Sequence, residues 1–228
     1  KNLEEYLGVR RYHPERQALS GQVGVVNGLA WTSVGGTLLQ VEATAVSGEG
    51  KLQLTGNLGD VMKESAQAVL TYIRGRAEAL GIEADFYRKK DIHIHFPEGA
   101  VPKDGPSAGI AIAAAMVSAL SGVPVRPGVA MTGEVSLRGR VLPIGGLKEK
   151  TMAALRNGIR TVIIPRENEP DLEEIDQTVR KALHFVLVDH LDNALAEVLD
   201  LPAAQAAELT AAFAGGRCPE ESRMRLKQ

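Results

Sequence analysis

The sequence lacks the features that would assign it to several classes of protein. A single cysteine among 228 residues excludes an internal disulfide framework. A formal net charge of −2 gives none of the basic excess that a nucleic-acid-binding surface needs. No apolar run approaches the ~20 residues of a bilayer-spanning helix, and the charged first residues do not resemble a secretory signal. We therefore expect a cytoplasmic protein whose partners include neither nucleic acid nor membrane.

The composition is that of an ordinary globular domain. Apolar residues make up 44% of the chain and charged residues 24%. The length fits one large domain or two small ones. Shifts in composition predict a linker over residues 1–20, a folded domain over 21–200 and a partly disordered C-terminal tail over 201–228. Within that tail, 203–214 could form one more surface helix.

The pattern of apolar residues predicts an α/β fold, with an antiparallel β lead-in that gives it α+β character. The first third is rich in β-branched residues and predicts a β meander, with Gly35-Gly36 as the turn between its first two strands. Helices and strands then alternate, which is typical of α/β proteins. The predicted strands lie at 22–26, 37–46, 51–55, 91–96, 129–132, 135–137, 161–164 and 185–188. The predicted helices lie at 58–80, 107–120, 147–157, 172–183 and 191–199, with a polar loop at 166–171.

One stretch, Pro-Lys-Asp-Gly-Pro-Ser-Ala-Gly at 102–109, combines several features of a reactive site. Gly105 permits backbone angles closed to other residues, and Pro106 favours the first turn of a helix. Residues 110–117 are apolar on all sides, which predicts a buried helix. Ser107 therefore lies at the mouth of that helix, where free backbone amides could stabilise an oxyanion. Serine is also a common helix cap, so the residues alone leave two roles for Ser107, a nucleophile and a helix cap.

A serine nucleophile needs a base, and the five histidines include no clear candidate. His93 and His95 lie on one face of a predicted strand, but no third ligand follows at a spacing that zinc requires. We predict no metal site. The glycine- and lysine-containing segments at 48–52 and 145–148 do not match the phosphate-loop pattern, so we predict no nucleotide cofactor in this domain.

Lysine is the other candidate base, because burial can lower its pKa from about 10.4 toward neutrality. Lys148 and Lys150 follow two glycines at the start of a predicted helix. Their positions differ by about 200° around the helix axis, so at most one of them faces a cleft shared with Ser107. A solvated surface position is the alternative for each, and the residues alone do not choose between the two.

Three segments closely resemble the proteolytic domain of Lon proteases of the bacterial A type. They are 102–109, Met-Thr-Gly-Glu at 131–134, and Leu-Pro-Ile-Gly-Gly-Leu-Lys-Glu-Lys at 142–150. The likeness extends from roughly Gly21 to Leu199. It implies the fold of that domain, which also occurs in a ribosomal-protein domain.

The resemblance implies a serine–lysine dyad, with Ser107 as the nucleophile and Lys150 as the base. It implies that the hydroxyl of Thr132 hydrogen-bonds the lysine amine and orients it. Asp104 is implied to pair with that amine in inactive arrangements, which would keep the amine charged. Lys148 is left as a surface or supporting residue.

The resemblance also implies partners. Trp31 and Met62 would line an apolar pocket for a substrate side chain, although core packing explains both residues equally well. The substrates would be unfolded or damaged proteins and peptides, and peptide boronates would inhibit. The assembly would be a homo-hexameric ring, with ATP and magnesium bound by an upstream ATPase module whose end is the segment 1–20. The alternative function is a non-catalytic, ring-forming scaffold of the same fold.

Overall fold

The computed structural model describes residues 21–32 and 35–214. Its strands are β1 (Val25–Thr32), β2 (Gly35–Ser47), β3 (Leu52–Thr55), β4 (Lys90–His95), β5 (Val129–Met131), β6 (Glu134–Val135), β7 (Val141–Leu142), β8 (Thr161–Pro165) and β9 (His184–Val188). Its α-helices are α1 (Asp60–Arg76), α2 (Phe86–Lys89), α3 (Gly109–Ser121), α4 (Leu147–Arg156), α5 (Gln177–Ala182), α6 (Leu191–Val198) and α7 (Ala203–Ala214). Three 3-10 segments lie at Glu78–Leu80, Pro106–Ala108 and Arg166–Glu174.

Seven strands form one mixed sheet in the order β3-β4-β2-β1-β5-β8-β9, and β6 and β7 form a separate hairpin. The pairs β1–β2 and β2–β4 are antiparallel, whereas the remaining pairs of the large sheet are parallel. This arrangement confirms the predicted α/β class with an antiparallel lead-in. The predicted meander is wrong in one respect: β3 pairs in parallel with β4, after a crossover through α1.

The predicted turn at Gly35-Gly36 is also wrong, because both glycines belong to β2. Gly35 pairs with Thr32, and Gly36 pairs with Trp31. The residues between the two strands, 33–34, lie outside the described part of the chain. Glycine is required at position 36 for a different reason: a Cβ there would lie 2.0 Å from the carbonyl oxygen of Glu149 in α4.

The predicted helix over 172–183 is interrupted. Residues Arg166–Glu174 form a 3-10 segment where a loop and a helix start were expected, and Ile175 then has extended backbone angles. The α-helix begins only after Asp176, whose carboxylate accepts a hydrogen bond from the Thr178 amide. Asp176 is thus an N-cap, and a cap marks a helix start that apolar periodicity does not reveal.

The sheet separates two apolar clusters, since neighbouring residues of a strand point to opposite faces. In β5, Val129 and Met131 belong to the cluster formed with α1, α3 and α6. Ala130 between them belongs to the cluster formed with α4 and α5. The predicted buried helix is present as α3, whose first ten residues are all buried.

The C-terminal helix predicted at 203–214 is present as α7, and Leu209 of this helix packs into the core. The predicted linker over 1–20 and the segment 215–228 of the predicted tail lie outside the described residues. None of the helices in the described part of the chain is long and apolar enough to cross a membrane.

Candidate active site

A cleft of about 700 Å³ opens at the carboxyl end of β1 and the first half of β2. Trp31 near the end of β1 lines it, together with the 102–108 segment and the start of α4. Ligands of open α/β sheets bind at this end of the strands, where the connections diverge. Ser107 and Lys150 both line this cleft.

Ser107 lies in the 3-10 turn that leads into α3. Gly105, two residues before Ser107, has a φ of 128°, which residues other than glycine rarely adopt. The Ser107 carbonyl oxygen accepts a hydrogen bond of 2.9 Å from the Gly133 amide, and the Gly133 carbonyl accepts one from the Ile110 amide. The backbone of Gly133 therefore holds the turn between Ser107 and the first residues of α3. A Cβ on Gly133 would lie 2.4 Å from Ile110 Cδ1, so a larger residue here would have to displace the buried Ile110 side chain.

Lys150 lies on the buried face of α4. It is 2% exposed, and Leu147, Thr151 and Ala154 are buried on the same stripe at steps of three and four. Burial lowers the pKa of the Lys150 amine to about 8, because the charged form loses its hydration. Lys148 points to solvent. The tertiary structure thus distinguishes two lysines that the spacing along the helix left equivalent.

Thr132, which directly follows β5, links the two candidate dyad residues. Lys150 Nζ donates to Thr132 Oγ1 at 3.1 Å, and this hydroxyl donates to the Ser107 carbonyl oxygen at 3.3 Å. Thr132 is fully buried, so both its donor and its acceptor are used inside the protein. Within the described residues no hydrogen bond joins the Ser107 hydroxyl to the amine directly. Catalytic hydrogen bonds often form only when a ligand closes the site.

Asp104 does not pair with Lys150 in this structure. Its Oδ1 accepts hydrogen bonds from the amides of Met62, at 3.1 Å, and Gly105, at 2.9 Å. The carboxylate therefore fastens the loop before Ser107 to the first turn of α1. Gly59 permits this approach, because a Cβ there would lie 2.2 Å from Asp104 Cγ.

Trp31 and Met62 both line the cleft, but they differ in burial. Trp31 is 59% exposed and lies at the rim, which excludes core packing as its role. Its ring would be 3.0 Å from a Cβ placed on Gly146, so the ring packs against the glycine turn before α4. Met62 is 2% exposed and contributes to the core as well as to the cleft.

The two histidines of β4 form a small polar cluster away from the cleft. His93 Nε2 and His95 Nδ1 each lie 2.8 Å from Thr55 Oγ1. Across the described residues, no group of three or more potential metal ligands is present.

Asn168 is a residue of the site region that the sequence does not predict, since it lies in the predicted polar loop 166–171. The residue is 3% exposed and hydrogen-bonds both backbone groups of Ile144 beside the cleft. No periodicity or motif marks this position, because its partner lies 24 residues away in the sequence.

Comparison with known proteins accords with this geometry. The model of the family described as "Lon protease (S16) C-terminal proteolytic domain" matches residues 1–201. The chain belongs to this family. The resemblance found in the sequence is thereby confirmed.

The relatives of this Lon-family chain include the Lon protease of Brevibacillus choshinensis, which is 59% identical over 199 residues, 87% of this chain and 26% of that protein. The Lon protease of Haemophilus influenzae is 57% identical over 201 residues, 88% of this chain and 25% of that protein. Lon protease 1 of Bacillus subtilis is 57% identical over 199 residues, 87% of this chain and 26% of that protein. The chain therefore spans about a quarter of the length of these relatives.

Proposed function

We propose that this Lon-family domain hydrolyses peptide bonds, with Ser107 as the nucleophile and Lys150 as the general base. The observation that carries the proposal is the setting of the lysine: a buried amine with a pKa of about 8 in the same cleft as Ser107. A general base works best when its pKa lies near the working pH. A solvated lysine has no such property.

The first half of the reaction forms an acyl-enzyme. As Ser107 Oγ attacks the carbonyl carbon of the substrate, neutral Lys150 takes the hydroxyl proton. The tetrahedral intermediate then collapses, the C–N bond breaks, and the ammonium of Lys150 gives its proton to the leaving amine. An ester between Ser107 and the acyl part of the substrate remains.

The second half releases the product. Lys150, neutral again, removes a proton from a water molecule that attacks the ester carbonyl. The C–O bond to Ser107 breaks, and the serine recovers its proton from the lysine. Thr132 keeps one N–H of the amine occupied, so that the nitrogen lone pair is left for the proton of the serine or the water.

Backbone amides at the turn before α3 are suited to hold the oxyanion. They lie at the start of a helix, where free N–H groups and the helix dipole favour negative charge. One strong oxyanion donor commonly contributes ~3–4 kcal/mol to a rate enhancement. Trp31 and Met62 offer an apolar surface beside this point for the substrate side chain.

The substrates and partners of the longer protein are proposals that rest on family membership. We propose unfolded or damaged proteins as substrates, a homo-hexameric ring as the assembly, and a cytoplasmic location. ATP and magnesium would bind an ATPase module outside the described domain. This chain would then cleave peptides and unfolded proteins without nucleotide, and peptide boronates would inhibit it.

The test is hydrolysis of an unfolded protein and of a fluorogenic peptide, together with covalent labelling by a fluorophosphonate. We expect slow, nucleotide-independent hydrolysis and labelling by the wild-type chain. Ser107→Ala should abolish both, and Lys150→Ala should abolish hydrolysis, while both variants keep the wild-type circular dichroism spectrum.

Lys148→Ala is the matched control, since this lysine lies two residues away on the solvent side of the same helix. It should retain the wild-type rate. Activity retained in Lys150→Ala and lost in Lys148→Ala would refute the assignment of the base. A wild-type chain that forms rings but shows neither hydrolysis nor labelling would favour the scaffold function.

A further inference from the structure

We propose that Asn168 is a positioning residue of this reaction. Its side-chain amide fixes the backbone of Ile144, and through Ile144 both one wall of the cleft and the start of the helix that carries Lys150. The inference rests on the proposed peptidase function and extends it to a residue that touches neither substrate nor dyad.

The contact is a pair of complementary hydrogen bonds. The amide of Ile144 donates to Asn168 Oδ1 at 3.0 Å, and Asn168 Nδ2 donates to the Ile144 carbonyl oxygen at 2.8 Å. The side chain thus pairs with Ile144 as a neighbouring strand would, although no strand runs there. Both bonds are shielded from water, since Asn168 is 3% exposed.

A third hydrogen bond defines the orientation of this amide. Asn168 Nδ2 donates to Asp171 Oδ2 at 2.6 Å, and a carboxylate can only accept. The nitrogen must therefore face Asp171 and the oxygen must face the Ile144 N–H. With both N–H groups of Nδ2 used, the amide has one arrangement available.

The segment that Asn168 holds has little other support. Residues Pro143, Ile144, Gly145 and Gly146 line the cleft, and two of the four are glycines. Among the described residues, no further hydrogen bond involves the backbone of Pro143, Ile144 or Gly145. Gly146 caps α4 with a φ of 70°, and its carbonyl accepts the hydrogen bond from the Lys150 amide. The position of Ile144 is therefore transmitted to the first turn of the helix that carries the base.

Loss of this anchor should change the lysine as well as the wall of the cleft. A looser first turn of α4 admits water to the buried amine, and hydration of the charged form raises the pKa of an amine. The pH at which activity reaches half of its maximum would then be higher than in the wild type. A purely structural role would lower the amount of folded protein without moving this midpoint.

The first measurement is amide hydrogen exchange in the full 228-residue chain, and it needs no enzymatic activity. In Asn168→Ala the amides of Ile144 and Lys150 should exchange faster than in the wild type. Asn157→Ala is the matched control, because Asn157 Nδ2 bonds the Ala153 carbonyl at the other end of α4. It should leave both amides unchanged. Unchanged exchange of Ile144 in Asn168→Ala would overturn the inference, even if the chain were not a peptidase.

The second measurement is the pH dependence of kcat for a fluorogenic peptide. The isosteric variant Asn168→Asp keeps an acceptor for the Ile144 amide but loses the donor to the Ile144 carbonyl and sets two carboxylates side by side. We expect kcat to fall by up to ~10²-fold, as for displaced catalytic groups, and the acid-side midpoint to move above about 8. A folded Asn168→Asp protein with the wild-type rate and midpoint would refute a positioning role.

A double variant separates the two contacts of the amide. Asn168→Asp combined with Asp171→Asn restores a favourable pair between positions 168 and 171, but it supplies no donor to the Ile144 carbonyl from position 168. Activity should remain low. Recovery to the wild-type rate would show that the Asp171 contact, and not the Ile144 carbonyl, is what matters. Inactivity of the wild type itself, with no effect of Ser107→Ala, would instead refute the proposed function.

Discussion

Two charged side chains, Lys150 and Asp192, are buried almost equally, at 2% and 1% exposure. Asp192 is fully paired: its Oδ1 accepts from the Tyr72 hydroxyl at 2.6 Å, and its Oδ2 accepts from the Arg76 guanidinium. Burial, together with the neighbouring carboxylate, holds the pKa of Tyr72 far above its usual value, so the hydroxyl remains a donor. Lys150 has a single hydroxyl partner and no carboxylate in ion-pair contact within the described residues.

The difference teaches how burial serves two purposes in one molecule. A buried carboxylate that meets a guanidinium and a hydroxyl ties together the elements that hold the partners, here α1 and α6. A buried amine without a countercharge loses its proton more easily, which suits it to the role of base proposed for Lys150. Substitutions on the two sides of this contrast should therefore differ in the sign and size of their effects.

Removal of the paired carboxylate should cost the most stability. Asp192→Ala leaves the Tyr72 hydroxyl and the Arg76 guanidinium without their acceptor, and breaking a buried ion pair on one side typically costs ~3–5 kcal/mol. Urea unfolding measures this loss. Asp189→Ala is the control, because this carboxylate is exposed and has only surface partners, a long ion pair with Arg166 and a hydrogen bond from Asn193 Nδ2. Its loss should change stability by less than ~1 kcal/mol. An equal loss in both variants would contradict the contrast.

Removal of the Lys150 amine, which has no countercharge, should instead increase stability. The pKa of Lys150 is about 8 in the folded chain, against a usual value of 10.5, so the unfolded state binds more protons between these two pH values. The lysine therefore destabilises the fold fully below pH 8, and this penalty disappears as the pH rises to 10.5.

Lys150→Met should accordingly raise the free energy of unfolding by up to about 3 kcal/mol at pH 7 and by little near pH 11. Peptidase activity should be absent at every pH. The measurement is urea unfolding at several pH values, with Lys148→Met as a control that shows neither change. A loss of stability at pH 7 in Lys150→Met would mean that the charged amine is stabilised in the folded chain.

Disruption of the close contact between Gly36 and the backbone of α4 beside Lys150 should have a smaller effect. In Gly36→Ala, the new Cβ would press on the Glu149 carbonyl oxygen, and overpacking of this kind costs ~1–3 kcal/mol. The Tm of thermal unfolding and kcat should both fall, since α4 must shift to make room. Gly75→Ala is the matched control: its new Cβ would meet nothing within 4 Å beyond the chain neighbours and the backbone of its own helix, and alanine in a helix should add ~0.5–1 kcal/mol. Full activity in Gly36→Ala would contradict the close packing of β2 against α4.

Removal of the Thr132 hydroxyl, the partner of the Lys150 amine, should have the smallest effect. Thr132→Val keeps the shape but removes the acceptor of the Lys150 hydrogen bond, which is worth ~1 kcal/mol. We expect kcat to fall about tenfold and the acid-side midpoint to move below about 8, since the ammonium loses its partner. Thr132→Ser should behave as the wild type. The direction is opposite to that expected for Asn168→Asp, so one pH profile distinguishes the two roles.

The parts of the fold that depend on local pattern were predictable. The apolar run at 110–117 predicted a buried helix, and α3 is buried along its whole first part. The β-branched run at 161–164 predicted a strand, and β8 is present there between two parallel neighbours. Pairing partners were not predictable, because alternation of polarity identifies a strand and says nothing about which strand lies beside it. That is why β3 was wrongly assigned to a meander.

The site divides in the same way. The glycine and proline before Ser107 marked the turn in advance, since their backbone preferences are local. The burial of Lys150 could also have been noticed, because the residue occupies the apolar stripe of α4 three residues after Leu147 and four before Ala154. Asn168 left no signal at all, and neither did the pairing of Asp104 with two backbone amides.

The sequence by itself determined the elements that carry the candidate dyad: a serine at the entrance to an apolar helix and, in Lys150, a lysine near the start of another helix. Only the tertiary structure decided that these two residues share one cleft, that Lys150 lacks a countercharge, and that Asp104 and Asn168 hold the loops on either side. The physical reason is the range of the forces involved. Backbone preference and amphipathic period act within a few residues, whereas desolvation and hydrogen-bond pairing depend on whatever the folded chain brings alongside.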